Sequence, residues 1–513
     1  MRWVQGLAWF ALVAMSAGMV LLPSLETVVA FTVIDDAMAY TRIAQNVVSR
    51  GVLTFDGVTI TNGFHPLWQA ALIPVYEILQ DPWRSLRGAF ALVAVLLGAA
   101  LFLFTRVSRS WGLSPGGYLM AFFLVFANVR SFTVLYSLLE SPLVLLCYTA
   151  FLYCVCVSKA SRFQSSKMAL LAGLLMGLCF LARTDSFLLP VSFGLVLLAR
   201  LFRGEIEKGR SFRIAAWSGL GTLVVVAPYL LANHLVFGRL SPVSAAAKLN
   251  IRGDWEWAYA PLQGFYQQYV PRIAYILGLP LAWSPILMTA LILAGSGVLV
   301  AVFTGERRVR VHAILLRCPE FFLFAFLHFF FVYFLAPGEA LFSTWYYISE
   351  ILAVALILGA AVPPNRRLLD YSIAVTVTSI LILQAFMYPD FVERKTMTWA
   401  KFEVAEFIRD HLPADTRLAI MEPGIVSYFS QRDFVSLKGH LGDFELSELC
   451  RQRDFTTIVE KYEVEYLVAD VSESREIKIP AEEVYSTEIR TLFRDFRRDP
   501  RPLVLYRVRP TRQ

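Results

Sequence analysis

The chain has 513 residues, of which 57% are hydrophobic and 17% are charged, and its mean hydropathy is +0.57. These values exclude an ordinary soluble domain and indicate an integral membrane protein. The formal net charge of +7 does not indicate nucleic-acid binding, because the basic residues stand in short connections between apolar segments, where they orient a chain in a membrane.

The apolar segments begin at the N-terminus. The run "MRWVQGLAWFALVAMSAGMVLLPSL" has a short basic start and no small-residue cleavage site, so we expect an uncleaved signal anchor. About eleven segments have the length of a membrane-spanning helix, roughly 17 to 25 residues. They lie near residues 5–25, 87–106, 116–135, 140–158, 168–182, 186–202, 214–236, 284–303, 320–336, 346–362 and 368–388.

Alternate connections between these segments are basic. Examples are "TRVSRSWG", "SKASRFQSSK" and "GERRVRVHAILLR". By the positive-inside rule these connections are cytoplasmic. We therefore expect a multi-pass protein of the inner (plasma) membrane. Its non-cytoplasmic side should carry the external loop 31–86, the external loop 237–283 and the C-terminal tail, residues 390–513.

The tail from residue 390 to 513 differs in character from the membrane part, 1–389. It is charged, and strand-like runs ("RLAIM", "DFVSL", "VEYLVAD", "PLVLYRV") alternate with helix-like runs ("AKFEVAEFIRDHL", "FTTIVEKY"). Alternation of this kind predicts a small α/β domain. The fold class we expect is a polytopic α-helical membrane protein with a C-terminal extracytoplasmic α/β domain.

An acidic pair, Asp35 and Asp36, follows the first apolar segment and opens a helix-like run that ends at Gly51, a residue suited to a C-terminal cap. One Asp is enough to cap a helix. The second places like charges together near a membrane, where carboxylate pKa values are often perturbed. Capping and a functional site both remain open as interpretations.

The loop beyond the acidic pair is rich in turns and contains one histidine. Asp56 and Gly57 mark a tight turn, and "HPLW" starts a helix with Pro66 in its first position. We therefore expect this loop to fold beside the acidic pair, with His65 either as a polar contact at the membrane interface or as part of a site.

The run "DDAMAYTRIAQNVVSRGVLTFDG…TNGFHPLW" resembles the first external loop of GT-C fold glycosyltransferases that use polyprenyl-phosphate sugars. The resemblance is to the group related to protein O-mannosyltransferases, aminoarabinose transferases and arabinofuranosyltransferases. It continues in "LARTDSF", "STWYYIS" and "PGIVSYFSQRDFVSLKG", although the last run carries Lys438 where the family has an acidic residue.

This resemblance implies an inverting transfer of a pentose or hexose from a polyprenyl-phosphate carrier to a glycan, lipid or protein acceptor. It implies that Asp35, the first carboxylate, is the catalytic base or positions the acceptor, and we predict Asp35 as the base. We predict Asp36 as the residue that orients Asp35, or as the ligand of a divalent cation if one is used; the sequence indicates no other cofactor.

Further site residues are predicted from their chemistry and position. Candidates for the donor phosphate are Arg42, Arg183 and Lys248, because cations stabilise a departing phosphate. Asp185 accompanies Arg183 in an apolar setting, where an ionisable pair indicates function or a structural ion pair. Trp345, Tyr346 and Tyr347 either stack on the sugar or form an aromatic belt, and Glu350 follows them at the start of an apolar span.

A transporter or flippase of lipid-linked sugars is the alternative function, since it would share the many spans and the charges. Transporters usually place polar, broken helices near mid-membrane. Here the charges lie at the ends of the spans, which favours surface chemistry. The sequence has no phosphate-binding glycine loop in a strand-to-helix context, so direct use of ATP or a nucleotide sugar is not indicated.

Overall fold

The computed structural model describes residues 2–21, 24–156, 165–248, 305–335, 344–363, 389–487 and 502–509. The predicted spans 284–303 and 368–388 and most of the predicted loop 237–283 lie outside the described residues.

In the described residues, the membrane part consists mainly of helices. Short non-α turns lie at Phe123–Ala127, Thr184–Phe187 and Thr344–Tyr346. The α-helices are α1 (Arg2–Leu21), α2 (Leu25–Thr32), α3 (Asp35–Arg50), α4 (Pro66–Leu79), α5 (Pro82–Ser110), α6 (Pro115–Phe122), α7 (Val129–Leu135), α8 (Ser141–Cys156), α9 (Ser166–Ala182), α10 (Leu188–Phe202), α11 (Lys208–Phe237), α12 (Val243–Lys248), α13 (Gly305–Arg317), α14 (Pro319–Leu335) and α15 (Ile348–Ala361).

Four helices among the described residues are long and apolar enough to cross a membrane: Trp3–Leu21, Pro82–Ser110, Thr184–Phe202 and Lys208–Phe237. A fifth candidate is the pair α13 and α14, which is bent by 92° at Cys318. Shorter apolar helices coincide with further predicted spans, at Pro115–Ala127, Ser141–Val155, Ser166–Ala182 and Ile348–Ala361. The count of about eleven spans stays a prediction.

The loop after α3 has the turns that its sequence predicts. Gly51 ends α3 with a left-handed φ of 71°, and a β-bridge joins Thr54 to Ile60 around Gly57. Asp56 stabilises this turn by accepting hydrogen bonds from the backbone N–H groups of Val58 and Thr59, at 2.9 and 2.7 Å. Pro66 then starts α4.

The two ends of the helices differ in charge. At one end, Arg200 of α10 lies 3.3 Å from Glu320 of α14, and Arg310 donates a hydrogen bond to the carbonyl of Val362, at 3.0 Å. The last turns of α5, α10 and α13 carry Arg109, Arg200 and Arg317, and we call this end the basic end. The opposite end, here called the acidic end, carries the acidic pair, the residues just before α8 and α10, and the first turn of α15.

The tail folds into a mixed five-stranded sheet with helices packed on it. The strands lie in the order β2-β1-β3-β5-β4, with β2, β1 and β3 parallel and the pairs β3–β5 and β5–β4 antiparallel. The strands are β1 (Leu418–Ile420), β2 (Phe434–Ser436), β3 (Tyr466–Asp470), β4 (Ala481–Ser486) and β5 (Leu503–Val508). The helices are α16 (Pro389–His411), α17 (Gly424–Ser430), α18 (Phe444–Gln452), α19 (Phe455–Lys461) and α20 (Val471–Ile477).

Four of these strands coincide with the predicted strand-like runs, whereas β4 does not. Its sequence, "AEEVYS", is polar and mostly exposed because the strand lies at the sheet edge. An edge strand has only one paired side, so the apolar alternation that reveals a buried strand is weak there.

This C-terminal domain docks on the acidic end through α17. The helix packs against α3, and a Cβ added at Gly424 would collide with the backbone carbonyl of Asp35. Asp433 forms ion pairs with two arginines of α3, Arg42 at 3.0 Å and Arg50 at 2.6 Å. Arg42 is thus a buried interface residue, so the structure places it against the C-terminal domain.

Candidate active site at the acidic end

Asp35 is buried and binds the C-terminal domain rather than capping its own helix. The N-cap position of α3 is Ile34, which has no side-chain cap. The Asp35 carboxylate instead accepts hydrogen bonds from the backbone N–H groups of Gly424 and Ile425, at 2.8 and 3.2 Å. The Nζ of Lys401 donates a third, at 2.7 Å. Both carboxylate oxygens of Asp35 therefore have partners.

Lys401 continues this contact into a chain of alternating charges. Its Nζ lies 3.2 Å from Glu422, and the other oxygen of Glu422 lies 2.7 Å from Lys438. The charges of Lys401 and Lys438 hold the pKa of Glu422 at about 2. Burial disfavours the ammonium of Lys401, but Asp35 and Glu422 outweigh burial and raise its pKa. Burial raises the pKa of Asp35, and Lys401 opposes that shift.

The parallel strands explain why these residues meet. Glu422 and Gly424 follow β1, and Lys438 and His440 follow β2, so all four lie beyond the carboxyl ends of neighbouring parallel strands. In such sheets, ligands bind at this edge where the strand order reverses, as it does here at β1. A helix N-terminus beside a lysine favours an anion, and Asp35 occupies that position.

Asp36 faces a different environment from Asp35. Its side chain is 32% exposed, against 9% for Asp35. The Nε2 of His440, from the C-terminal domain, lies 3.5 Å from Asp36 Oδ1. Asp36 is therefore the more accessible carboxylate of the acidic pair.

A second group of charges is centred on Arg183, between α9 and α10. Arg183 is buried, and its Nε donates to both oxygens of Asp185, at 3.0 and 2.8 Å. Its Nη1 donates to Glu140 at 2.9 Å and to the carbonyl of Trp345 at 2.8 Å. The guanidinium also lies over the ring of Tyr346, 4.3 Å from its centroid. Two carboxylates thus balance the charge of Arg183.

His328 of α14 extends this group. Its Nδ1 lies 2.7 Å from Glu350, and its Nε2 lies 3.4 Å from Asp185. We call Glu140, Arg183, Asp185, His328 and Glu350 together the arginine cluster. An imidazole held between two carboxylates in the middle of an apolar helix is a strong indication of function, because ionisable groups are costly in an apolar environment.

His65 and Tyr40 lie between the arginine cluster and the acidic pair. His65 Nε2 is 3.5 Å from Glu140, and its ring stacks on Tyr40 with 6.5 Å between centroids. Burial first, and then the charge of Glu140, raise the pKa of Tyr40; Asp36 contributes in the same direction. Because Tyr40 lies one helical turn after Asp36 on α3 and stacks on His65, which contacts Glu140, the two groups of charges border one region.

The backbone before Glu140 is strained. Leu138 is buried with a left-handed φ of 63°, which is uncommon for a residue other than glycine. Its carbonyl accepts a hydrogen bond from the indole N–H of Trp68, at 3.0 Å. Trp68 is fully buried, so it supports the loop that carries Glu140 and does not serve as a membrane-interface anchor.

The structure brings together most of the residues predicted from the sequence. His65, Arg183, Asp185, Trp345, Tyr346 and Glu350 lie in or beside the arginine cluster. Tyr347 packs on Phe329, with 6.2 Å between ring centroids. The backbone of Lys248 ends α12, and its side chain is outside what the structure describes.

Five residues escaped the sequence analysis: Glu140, His328, Lys401, Glu422 and His440. For the first two a signal exists, since each is an ionisable residue within or beside an apolar run, "YSLLESPLVLL" and "FFLFAFLHFFF". The other three stand in ordinary charged sequence, and only long-range contacts mark them.

Within the described ranges, no group of three or more His, Cys, Asp or Glu side chains has an arrangement that could hold a metal ion. The divalent cation on Asp36 therefore stays a prediction.

Comparisons with known proteins support one fold. Residues 390–506 match the model of a domain of unknown function, DUF8728. No curated protein matches the chain in sequence. Among solved structures, ArnT from Cupriavidus metallidurans bound to undecaprenyl phosphate aligns with a TM-score of 0.55 at 13% identity, over 96% of this chain and 97% of that one.

Two further structures align over almost the whole chain. ArnT from the same organism in the apo state gives a TM-score of 0.55 at 14% identity, over 93% of this chain and 96% of that one. The archaeal oligosaccharyltransferase AglB from Archaeoglobus fulgidus, in complex with an inhibitory peptide and a dolichol-phosphate, gives 0.50 at 12% identity, over 92% and 70%. At such identity the likeness shows the fold alone. The chain has the GT-C fold, as the resemblance of the first loop implied.

Proposed function

We propose that this protein is a membrane glycosyltransferase that moves a sugar from a polyprenyl-phosphate carrier to an acceptor hydroxyl. The observation that carries the proposal is the pairing, at one end of a GT-C fold, of an accessible carboxylate, Asp36, with a cluster centred on Arg183, on either side of Tyr40. Transfer of this kind needs both a base and cationic groups near a leaving phosphate.

In the reaction, a carboxylate takes the proton of the acceptor hydroxyl while that oxygen attacks the anomeric carbon. The bond between this carbon and the phosphate oxygen breaks, and polyprenyl phosphate leaves with the bonding electrons. From the sequence we predicted Asp35 as the base, but we now assign the proton to Asp36, because Asp36 is 32% exposed whereas Asp35 is 9% exposed and is held by Lys401 and α17. Attack opposite the leaving group makes the transfer inverting.

The donor is assigned to the side of His65 and Arg183. His65 is 21% exposed and lies against Glu140, so it can meet a phosphate from the region between the two groups. Trp345 and Tyr346 offer aromatic faces beside Arg183 for stacking on a sugar. Lys248 remains a candidate for the phosphate, and a divalent cation on Asp36 remains a further hypothesis.

The orientation follows from the charge difference between the helix ends. Arginines at the basic end favour the cytoplasmic side by the positive-inside rule. The acidic end and the C-terminal domain would then lie on the non-cytoplasmic face of the plasma membrane, where a glycan, lipid or protein acceptor is reached.

The test is transfer of radiolabel from a panel of polyprenyl-phosphate sugars to endogenous acceptors in membranes. Wild type, Asp36→Asn and Asp35→Asn are compared at equal expression, with and without chelator. We expect Asp36→Asn to abolish transfer and Asp35→Asn to lower both transfer and the thermal stability of the protein. Loss by chelator alone would establish a metal requirement.

Full activity of Asp36→Asn would contradict the assignment of the base. The absence of transfer from every donor, with lipid-linked sugar accumulating on the cytoplasmic side after depletion, would instead favour a flippase.

A further inference from the structure

We propose that His440 of the C-terminal domain is a positioning residue of the transfer site, acting through Asp36. The inference rests on the proposed function, and it makes the C-terminal domain a part of the active site rather than an attached module.

The surroundings of His440 carry the proposal. The residue is 6% exposed, and its Nε2 has no hydrogen-bond partner among the described residues. Burying a polar nitrogen without a partner is unfavourable, so an unpaired one at a site requires an explanation. The carboxylate of Asp36 lies 3.5 Å from this nitrogen, slightly beyond hydrogen-bond length.

The loop that holds His440 is fixed from both sides. Gly439 directly before it has a left-handed φ of 71°, which favours glycine. On the other side lies Gly63 of the first loop, where an added Cβ would collide with the carbonyl of His440. Close contact between the backbones at Gly63 and His440 therefore holds the imidazole beside Asp36. The ion pairs Lys438–Glu422, Glu422–Lys401 and Lys401–Asp35 hold the same edge of the sheet against α3.

This geometry assigns a role to the imidazole. With a proton on Nε2, His440 donates to Oδ1 of Asp36 and fixes the plane of the carboxylate. The other carboxylate oxygen, Oδ2, is then aimed at the acceptor hydroxyl. Only a small movement is needed for the contact to close, and catalytic hydrogen bonds often tighten when substrate binds.

A positioning role of His440 and a purely structural role predict different kinetics. A positioning residue affects the chemical step, so its removal lowers kcat more than it raises KM for the donor. A purely structural residue would lower the amount of folded protein and leave the kcat of the remainder unchanged.

The experiment compares wild type with His440→Ala and His440→Gln in the full chain, and with His411→Ala as control because His411 is exposed on α16. The side-chain amide of glutamine can donate from the position of Nε2. Radiolabel transfer gives kcat and KM. Carbodiimide labelling of Asp36, read by mass spectrometry with the exposed Asp415 as internal reference, gives the contact without any need for activity.

We expect His440→Ala to lower kcat at least tenfold with little change in KM, and to raise labelling of Asp36 severalfold. His440→Gln should recover part of both, and His411→Ala should match wild type. Unchanged kcat and unchanged labelling in His440→Ala would overturn the inference. If that variant does not fold, His440→Gln decides, because only a positioning role leaves it folded with a lowered kcat.

Failure of the proposed function gives a different pattern. Wild type would then show no transfer from any donor, while labelling would still decide the contact between His440 and Asp36.

Discussion

The ammonium of Lys401 lies 2.7 Å from a carboxylate oxygen of Asp35, although 366 residues separate the two in the chain. Asp35 is the first residue of α3, and Lys401 lies in α16 of the C-terminal domain. Both side chains are buried, so a buried ion pair joins the membrane part to the C-terminal domain.

Lys401→Met should weaken the docking of the C-terminal domain. The change leaves a buried carboxylate without its ammonium, and breaking a buried ion pair costs about 3–5 kcal/mol. We expect a lower unfolding temperature in detergent and faster proteolysis within the C-terminal domain. The double variant Asp35→Asn, Lys401→Met should recover part of the loss, because no unpaired charge remains.

The matched control is Lys461→Met, whose ammonium pairs with Glu445 on the exposed surface. An exposed pair contributes about 0–1 kcal/mol. Equal destabilisation by the two lysine variants would show that the buried pair with Asp35 contributes no more to stability than an exposed pair.

Gly424→Ala should disturb the same interface by a steric route. A Cβ at this position would collide with the backbone carbonyl of Asp35, and backbone cannot move aside as a flexible side chain can. Gly219→Ala on α11 serves as control, since nothing lies within 4 Å of a Cβ there. We expect protease sensitivity to rise only in the first variant, and normal protection of Gly424→Ala would contradict the close packing of α17 on α3.

Glu140→Gln should impair transfer while the protein still folds. The substitution keeps the shape of the side chain but removes one of the two carboxylates that balance Arg183. We expect transfer to fall at least tenfold and stability to fall by about 1–3 kcal/mol, the cost of an imperfectly paired buried group. Glu205→Gln, which lies in an exposed pair with Arg203, should change neither.

Acid should weaken the contribution of Glu422. Its pKa is lowered from an ordinary value of 4.5 to about 2, chiefly by Lys401, so the folded state prefers the ionised carboxylate. A lowered pKa gives stability that is complete above pH 4.5 and is lost as the pH falls toward 2. Because the side chain is 44% exposed, solvent reduces the size of the effect.

The measurement is the unfolding temperature of wild type and Glu422→Gln as a function of pH. The difference between them should be largest above pH 4.5 and should shrink as the pH falls toward 2. A constant difference across that range would show that Glu422 acts by packing rather than by charge.

Sequence by itself determined the membrane class, the position of most apolar helices and the turns of the first loop. These features depend on local chemistry: apolar runs of spanning length, Pro66 at the start of a helix, and Gly51 at the end of one. The resemblance of the first loop also led to the GT-C fold. Arg183, Asp185 and Glu350 were found because an ionisable residue beside an apolar run is conspicuous.

Only the tertiary structure decided how the acidic pair is divided. Asp35 and Asp36 are neighbours in sequence with the same side chain, but helical geometry points them in different directions, and only Asp35 meets Lys401 and the N-terminus of α17. Their different burial arises from contacts with residues more than 360 positions away, as the separation from Lys401 shows. No local pattern encodes such contacts, because they depend on where a separate domain docks.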